Sequence, residues 1–262
     1  MQIYLLEIII LILSGLGSGA FVGMGAGATG SIMITSLTVF IGHPVYESIG
    51  TTLFIDFIIG AIAGLIFYFN GKTNIKPALP LIFSGALGSF IGSQFTSSAP
   101  GSVLIVLIGS ILILIGVSLV VKGLHKNIDF IKEKKLTQLL KTKKNLFFIT
   151  FGLLAGASSG FTGMGIGGVI ALVLLVILDY DIHTAIGTAL LCIMVISGAA
   201  SLGHILNAQI LVLQASIAGA AAITGGVFGA FYANTIKENT LGKLIGAIIT
   251  IMGIILIIRA LI

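Results

Sequence analysis

Two glycine-rich stretches decide how this chain can fold: "GMGAGATG" at residues 23–30 and "GMGIGG" at residues 163–168. Each stretch interrupts an apolar run and places glycine at every second position. This spacing differs from the i, i+4 pattern through which small residues pack membrane helices together, so it predicts a non-helical turn. Irregular backbone at membrane depth is tolerated only where it is buried in protein or lines a cavity.

The composition indicates that lipid is the main solvent of this chain. Of its 262 residues 57% are hydrophobic and 8% are charged, and the mean hydropathy is +1.23. Soluble domains contain about 25% charged residues. The sequence therefore predicts an all-α, polytopic protein of the cell membrane. The apolar N-terminal run lacks the basic start and cleavage site of a signal peptide, so we expect a retained helix.

The apolar segments form two sets of five on either side of a basic connector. The connector, residues 122–144, carries eight Lys and two acidic residues, a net charge of +6. Short basic connectors lie on the cytoplasmic side, and solvent or lipid headgroups, not nucleic acid, are its expected surroundings. The predicted organisation is an N-terminal transmembrane repeat (1–121), a cytoplasmic linker (122–144) and a C-terminal transmembrane repeat (145–262). The predicted segments are 2–22, 26–42, 46–69, 77–96, 102–121, 146–161, 165–179, 183–206, 209–233 and 241–261.

The two sets of segments are copies of each other in sequence. A shift of 137 residues aligns "IGT" at 49–51 with "IGT" at 186–188, and the same register matches glycines in the following helices. The connector at 70–77 carries Lys72 and Lys76, whereas its counterpart at 207–214 is uncharged. Because the basic side changes between the copies, we expect two inverted five-element repeats with glycine-broken helices near the midplane.

Broken helices at matching positions of inverted repeats indicate the central site of a transporter. The segments that follow the glycines are short, so helices starting near mid-membrane would direct free N–H groups inward, where they favour an anion. The alternative is close helix packing through small residues. The predicted substrate-binding residues are Gly23, Gly25, Gly27, Thr29, Ser31, Thr51, Thr52, Thr162, Gly163, Gly165, Gly167, Gly168 and Thr188.

Two ionisable residues within the spans are candidates for proton coupling. Asp56 lies in mid-helix, and the 137-residue shift aligns it with Ile193 of the other copy. It is either a proton carrier or a polar contact between helices. His204, near the end of its helix, is either a relay or a boundary histidine. Glu47 and Asp181 precede or begin helices, where capping would explain them. No residues have the spacing of metal ligands, and we expect no cofactor.

The glycine runs, followed by "ESIGTTL" (47–53) and "TAIGTAL" (184–190), resemble those of the TauE/SafE family of membrane exporters, also called the sulfite exporter or toluene sulfonate uptake permease family. The resemblance covers nearly the whole chain. It implies transport of sulfite, organosulfonates or related sulfur-containing or carboxylate anions. Family members often carry a proline after the glycine run, and "SIMITSL" (31–37) and "VIALVLL" (169–175) have none.

Three functions stay open from the sequence. A proton-coupled secondary transporter is the first, with a small anion and the lipid bilayer as partners; many such transporters are homodimers. A passive anion channel is the second, because broken inverted helices occur in both. The third is an intramembrane serine protease, because "GASSG" (156–160) fits G-x-S-x-G. That function requires a hydrogen bond between Ser158 and His204.

Overall fold

The computed structural model describes residues 5–23, 29–122, 140–233 and 238–261, and within these ranges the chain is helical without strands. Short 3₁₀ turns, Lys76–Ala78 and Thr96–Ser98, flank the fourth helix. The helices are α1 (Leu5–Gly23), α2 (Thr29–Thr35, continued by a π-helix at Ser36–Ile41), α3 (Val45–Phe69), α4 (Leu79–Phe95), α5 (Gly101–Lys122), α6 (Lys144–Thr162), α7 (Gly167–Ile177), α8 (Ile182–Leu206), α9 (Val212–Ala233) and α10 (Glu238–Leu261).

Seven of the described helical segments are long and apolar enough to cross a membrane, which confirms the predicted all-α polytopic class. They are Leu5–Gly23, Val45–Phe69, Lys76–Ser98, Gly101–Ser118, Lys144–Thr162, His183–Leu206 and Val212–Gly229. The basic linker falls mostly outside the described residues, so its cytoplasmic location stays a prediction.

Two of the shorter apolar helices follow the glycine-rich stretches. With a rise of about 1.5 Å per residue, Thr29–Ile41 extends about 20 Å and Gly167–Ile177 about 16 Å, against a hydrocarbon core of about 30 Å. The first begins beside Asp56, near the middle of α3, and ends shortly before α3 begins. It is therefore a half-helix that runs from the middle of the bundle to one face. The second begins at Gly167, two residues later than predicted.

The two halves contact each other in a reciprocal pattern. The first helix of each half packs on the fourth helix of the other, so α1 contacts α9 and α6 contacts α4. The third helices, α3 and α8, pack together, and so do the fifth helices, α5 and α10. Exchanging the halves leaves this pattern unchanged.

The equivalent helices of the two halves run antiparallel where they pack. Along α3, Gly50 faces His204 and Gly60 faces Met194, so residue numbers rise in one helix as they fall in the other. The inverted repeat, with its orientation across a membrane, stays a prediction.

Glycines at the half-to-half contacts leave no room for a side chain. A Cβ at Gly88 of α4 would overlap the carbonyl oxygen of Leu153, and a Cβ at Gly225 of α9 would overlap that of Leu16. The two contacts are related by the 137-residue shift. Small residues at these positions let the backbones approach closely, which is how membrane helices commonly associate.

Matched cysteines at 70 and 207 test the inverted arrangement. Asn70 and Asn207 are exposed and related by the 137-residue shift, so Asn70→Cys and Asn207→Cys make a matched pair in a Cys192→Ala background. We expect a membrane-impermeant thiol reagent to label one from outside the cell and the other only after permeabilisation. Labelling of both from the same side would contradict the inversion.

Candidate substrate and proton site

The start of α2 lies against the chain break of the other half. Helix α6 ends where Gly163 adopts a left-handed conformation, with a φ of +69°, and its N–H donates to the carbonyl of Ser159 at 2.8 Å. A Cβ at Gly30 would overlap the Gly163 carbonyl oxygen and lie 3.0 Å from the Cα of Met164. The two glycine-rich stretches therefore meet inside the bundle.

Thr29, the first residue of α2, donates a hydrogen bond from Oγ1 to Oδ1 of Asp56. Both side chains are buried, with 1% and 2% of their surfaces exposed. Among the described residues the other oxygen, Asp56 Oδ2, has no hydrogen-bond partner. A buried carboxyl oxygen without a donor is costly, so Oδ2 is a place for a proton or for a donor group of a ligand.

The turn after α6 is held by its own hydroxyl groups. Thr162 Oγ1 donates to the Ser158 carbonyl at 2.7 Å and accepts from the N–H of Met164 at 3.3 Å. Ser159 Oγ donates to the Met164 carbonyl at 3.0 Å. Residues 164–166, which include the predicted Gly165, are half-buried, and Gly167 and Gly168 begin α7. The predicted Gly25 and Gly27 lie outside the described residues, while Gly23 ends α1.

Thr51 and Thr188 occupy matching positions and hold loops of the opposite half. Thr51 Oγ1 accepts from the N–H of Leu211 at 2.9 Å, and Thr188 Oγ1 accepts from the N–H of Asn74 at 2.9 Å. Thr52 Oγ1 donates to the Ser48 carbonyl at 2.7 Å. These contacts give the three hydroxyls structural partners, and their predicted contact with substrate stays a prediction. Ser31 is buried within α2.

His204 is buried and contacts two neighbours. Its Nδ1 lies 2.8 Å from Gln209 Oε1 and its Nε2 lies 3.1 Å from the carbonyl oxygen of Gly160. The ring therefore links the end of α8 to the end of α6. Ser158 is exposed and donates to the carbonyl of Leu154 at 2.9 Å. The serine–histidine pair that a protease would require is therefore not formed in the described part of the chain.

The capping prediction is confirmed at Asp181 and wrong at Glu47. Asp181 Oδ1 accepts from the N–H groups of His183 and Thr184, both at 3.1 Å. The hydrogen bonds from the side chain and backbone of Thr184 hold the pKa of Asp181 below its usual value. At the start of α3, Pro44 occupies the cap position and no side chain caps the helix.

A polar cluster lies at the start of α3, where the sequence places His43 and Glu47 near each other. Glu47 contacts His43, with Oε2 at 3.9 Å from Nδ1. The Nε2 of His43 lies 3.7 Å from Glu7 Oε1, which also accepts from Gln214 Nε2 at 3.1 Å. His43 and Glu47 are four residues apart in sequence, whereas Glu7 and Gln214 reach them only through the packing of α1, α3 and α9.

A half-helix that begins at a buried carboxyl group and against the chain break of the other half, within a bundle of membrane-spanning helices, is the architecture of a membrane transporter. The family model described as "Sulfite exporter TauE/SafE" matches residues 10–256, and the chain belongs to this family. It is accordingly a multi-pass protein of the cell membrane.

Curated relatives carry the same general description. A "Probable membrane transporter protein YdhB" of Bacillus subtilis (strain 168) is 27% identical over 184 residues, which cover 70% of this chain and 72% of the relative. A "Probable membrane transporter protein" of Xylella fastidiosa (strain Temecula1 / ATCC 700964) is 26% identical over 257 residues, 94% of each chain. No solved structure matches the chain.

Proposed function

We propose that this chain is a proton-coupled secondary transporter of small anions: sulfite, organosulfonates or related sulfur-containing or carboxylate anions. The observation that carries the proposal is the buried pair of Thr29 and Asp56 at the start of α2, in which Asp56 Oδ2 has no partner among the described residues. Membership of the sulfite exporter family supports a sulfur-containing anion as the substrate.

An anion would bind where the two half-helices begin. The first N–H groups of a helix have no partner within it, and the helix dipole adds positive potential there. Helices α2 and α7 both begin at the glycine-rich stretches, and the contact between Gly30 and Gly163 places the start of α2 beside the turn that leads into α7. The half-buried residues 164–166 give a ligand access to the backbone.

Asp56 would couple the anion to a proton, because its ionised carboxylate competes with the anion for the start of α2. Through Thr29 the carboxylate already occupies the start of α2, where the anion is expected to bind. Two negative charges in one apolar site repel each other, so the anion favours the protonated form of the carboxyl group. In this mechanism one proton enters the site with one anion, and both leave together.

Transport by purified protein in liposomes tests this function. Methanesulfonate is the sharpest substrate, because it stays ionised at neutral pH and crosses lipid poorly without a carrier. We expect a pH gradient to drive it toward the alkaline side, with sulfite and acetate as comparisons and protein-free liposomes as the control. Flux that follows the membrane voltage alone and ignores the pH gradient would indicate a channel instead.

A further inference from the structure

A cavity of about 390 Å³ opens at the end of the bundle where α3 and α5 begin. Its lining includes Thr38 from the π-helix, His43, and the first residues of both helices. It is separate from the contact between Thr29 and Asp56, which involves none of the residues that line it. If the basic linker is cytoplasmic, this cavity faces the opposite side of the membrane.

The two helix N-termini at this cavity lie side by side. A Cβ at Gly101, the first residue of α5, would lie 3.4 Å from Cγ1 of Val45, the first residue of α3. Each helix follows a proline, Pro44 or Pro100, whose side chain has no polar atom to accept from the first N–H groups. The start of α3 has no side-chain cap among the described residues, and neither proline adds an acceptor, so both helix starts direct positive potential toward the cavity.

Thr38 adds an independent polar group. Its side chain is 5% exposed and its residue lines the cavity, yet its Oγ1 has no hydrogen-bond partner among the described residues. Thr35, one turn earlier, donates to the carbonyl of Ser31 at 2.7 Å, as threonines in α-helices commonly do. Thr38 lies in the wider π-helix, and π-helical turns are frequent at functional sites. A buried hydroxyl without a partner indicates an unfilled contact.

The other half of the chain shows which group occupies the matching helix start. The 137-residue shift aligns Pro44 with Asp181, and the Asp181 carboxylate accepts from the first N–H groups of α8. At the matching start of α3 none of the described side chains supplies such an acceptor. The position that holds a carboxylate in one copy is thus left open to an external anion in the other.

We propose that this cavity is an anion-binding site, in which a sulfonate, sulfate or similar oxyanion accepts hydrogen bonds from the first N–H groups of α3 and α5 and from the Thr38 hydroxyl. The site goes beyond the proposed function, because it does not require that Asp56 couples transport to protons. The ionisable groups beside it among the described residues are His43, which lines the cavity, and its neighbours Glu7 and Glu47.

Protection of a cysteine at position 102 reports on this site alone. Ser102 is exposed and lines the cavity, so Ser102→Cys in the Cys192→Ala background provides one accessible thiol. We expect methanesulfonate or sulfate to slow its reaction with a neutral thiol reagent. Adding Pro44→Asp places a carboxylate at the start of α3, and half-protection should then require about tenfold more methanesulfonate.

Two further variants separate loss of the site from loss of the fold. Pro44→Ala adds no acceptor, so protection should persist, while Thr38→Val removes only the hydroxyl and should weaken protection. Size-exclusion profiles check that each variant stays folded. Absence of protection in the parent protein, or equal protection with Pro44→Asp, would overturn the proposal, whether or not the protein transports anions.

Discussion

Asp56→Asn is expected to abolish the dependence of anion flux on a pH gradient while leaving the protein folded. Asparagine has nearly the same shape as aspartate, and its Oδ1 can still accept the hydrogen bond from Thr29. An amide does not ionise in the physiological pH range, so the side chain cannot alternate between a charged and a neutral form and the coupling step is lost. Methanesulfonate flux into liposomes, measured with and without the gradient, is the readout.

Thr29→Val is the matched control for this variant. It removes the hydrogen bond to Asp56 and keeps the carboxyl group, so flux should still respond to the gradient. Full gradient-driven transport by Asp56→Asn would show that Asp56 is a structural contact and that the coupling residue lies elsewhere. That result would not bear on the anion site at the half-helices, which Gly165→Leu tests.

Gly165→Leu is expected to eliminate substrate binding without unfolding the protein. Gly165 lies in the half-buried turn between α6 and α7, where a leucine side chain would occupy the space that the anion needs. A ligand that binds only the folded state raises the unfolding temperature, and the rise grows with the ratio of ligand concentration to Kd. Because Cys192 is fully buried, its reaction with a thiol-reactive dye reports unfolding. Methanesulfonate should stabilise the parent protein and leave Gly165→Leu unchanged.

Gly156→Leu provides the contrast. A Cβ at Gly156 would overlap the Gly85 carbonyl and lie 2.9 Å from the Gly85 Cα, so a larger side chain should force α4 and α6 apart. We expect this variant to unfold at a lower temperature even without ligand, since overpacking costs about 1–3 kcal/mol. If Gly165→Leu behaves in the same way, the glycine-rich stretches serve packing and not binding.

The helices could be predicted from sequence because the bilayer imposes length and hydropathy on them. The predicted segments 46–69 and 183–206 correspond closely to Val45–Phe69 and Ile182–Leu206. The glycine spacing also indicated the short half-helices, because lipid excludes irregular backbone from other places. The π-helix at Ser36–Ile41 was not predicted, since its sequence is as apolar as that of an ordinary helix.

The contacts of the candidate site could be predicted only in part. Asp56 stood out because a carboxyl group within a span is rare, but its partner Thr29 is 27 residues away and depends on how α2 docks. Thr51 and Thr188 are typical hydroxyl donors in sequence, and only the fold shows that they hold Leu211 and Asn74. Glu47 was expected to cap α3, but it contacts His43 across one helical turn.

The reciprocal packing also makes each half of the chain depend on the other. The first helix of each half finds its partner in the fourth helix of the other, and α3 and α8 meet antiparallel. A single half would therefore leave these helix faces without a partner. Neither half is expected to be stable alone, so the chain should unfold as one unit and not as two independent domains.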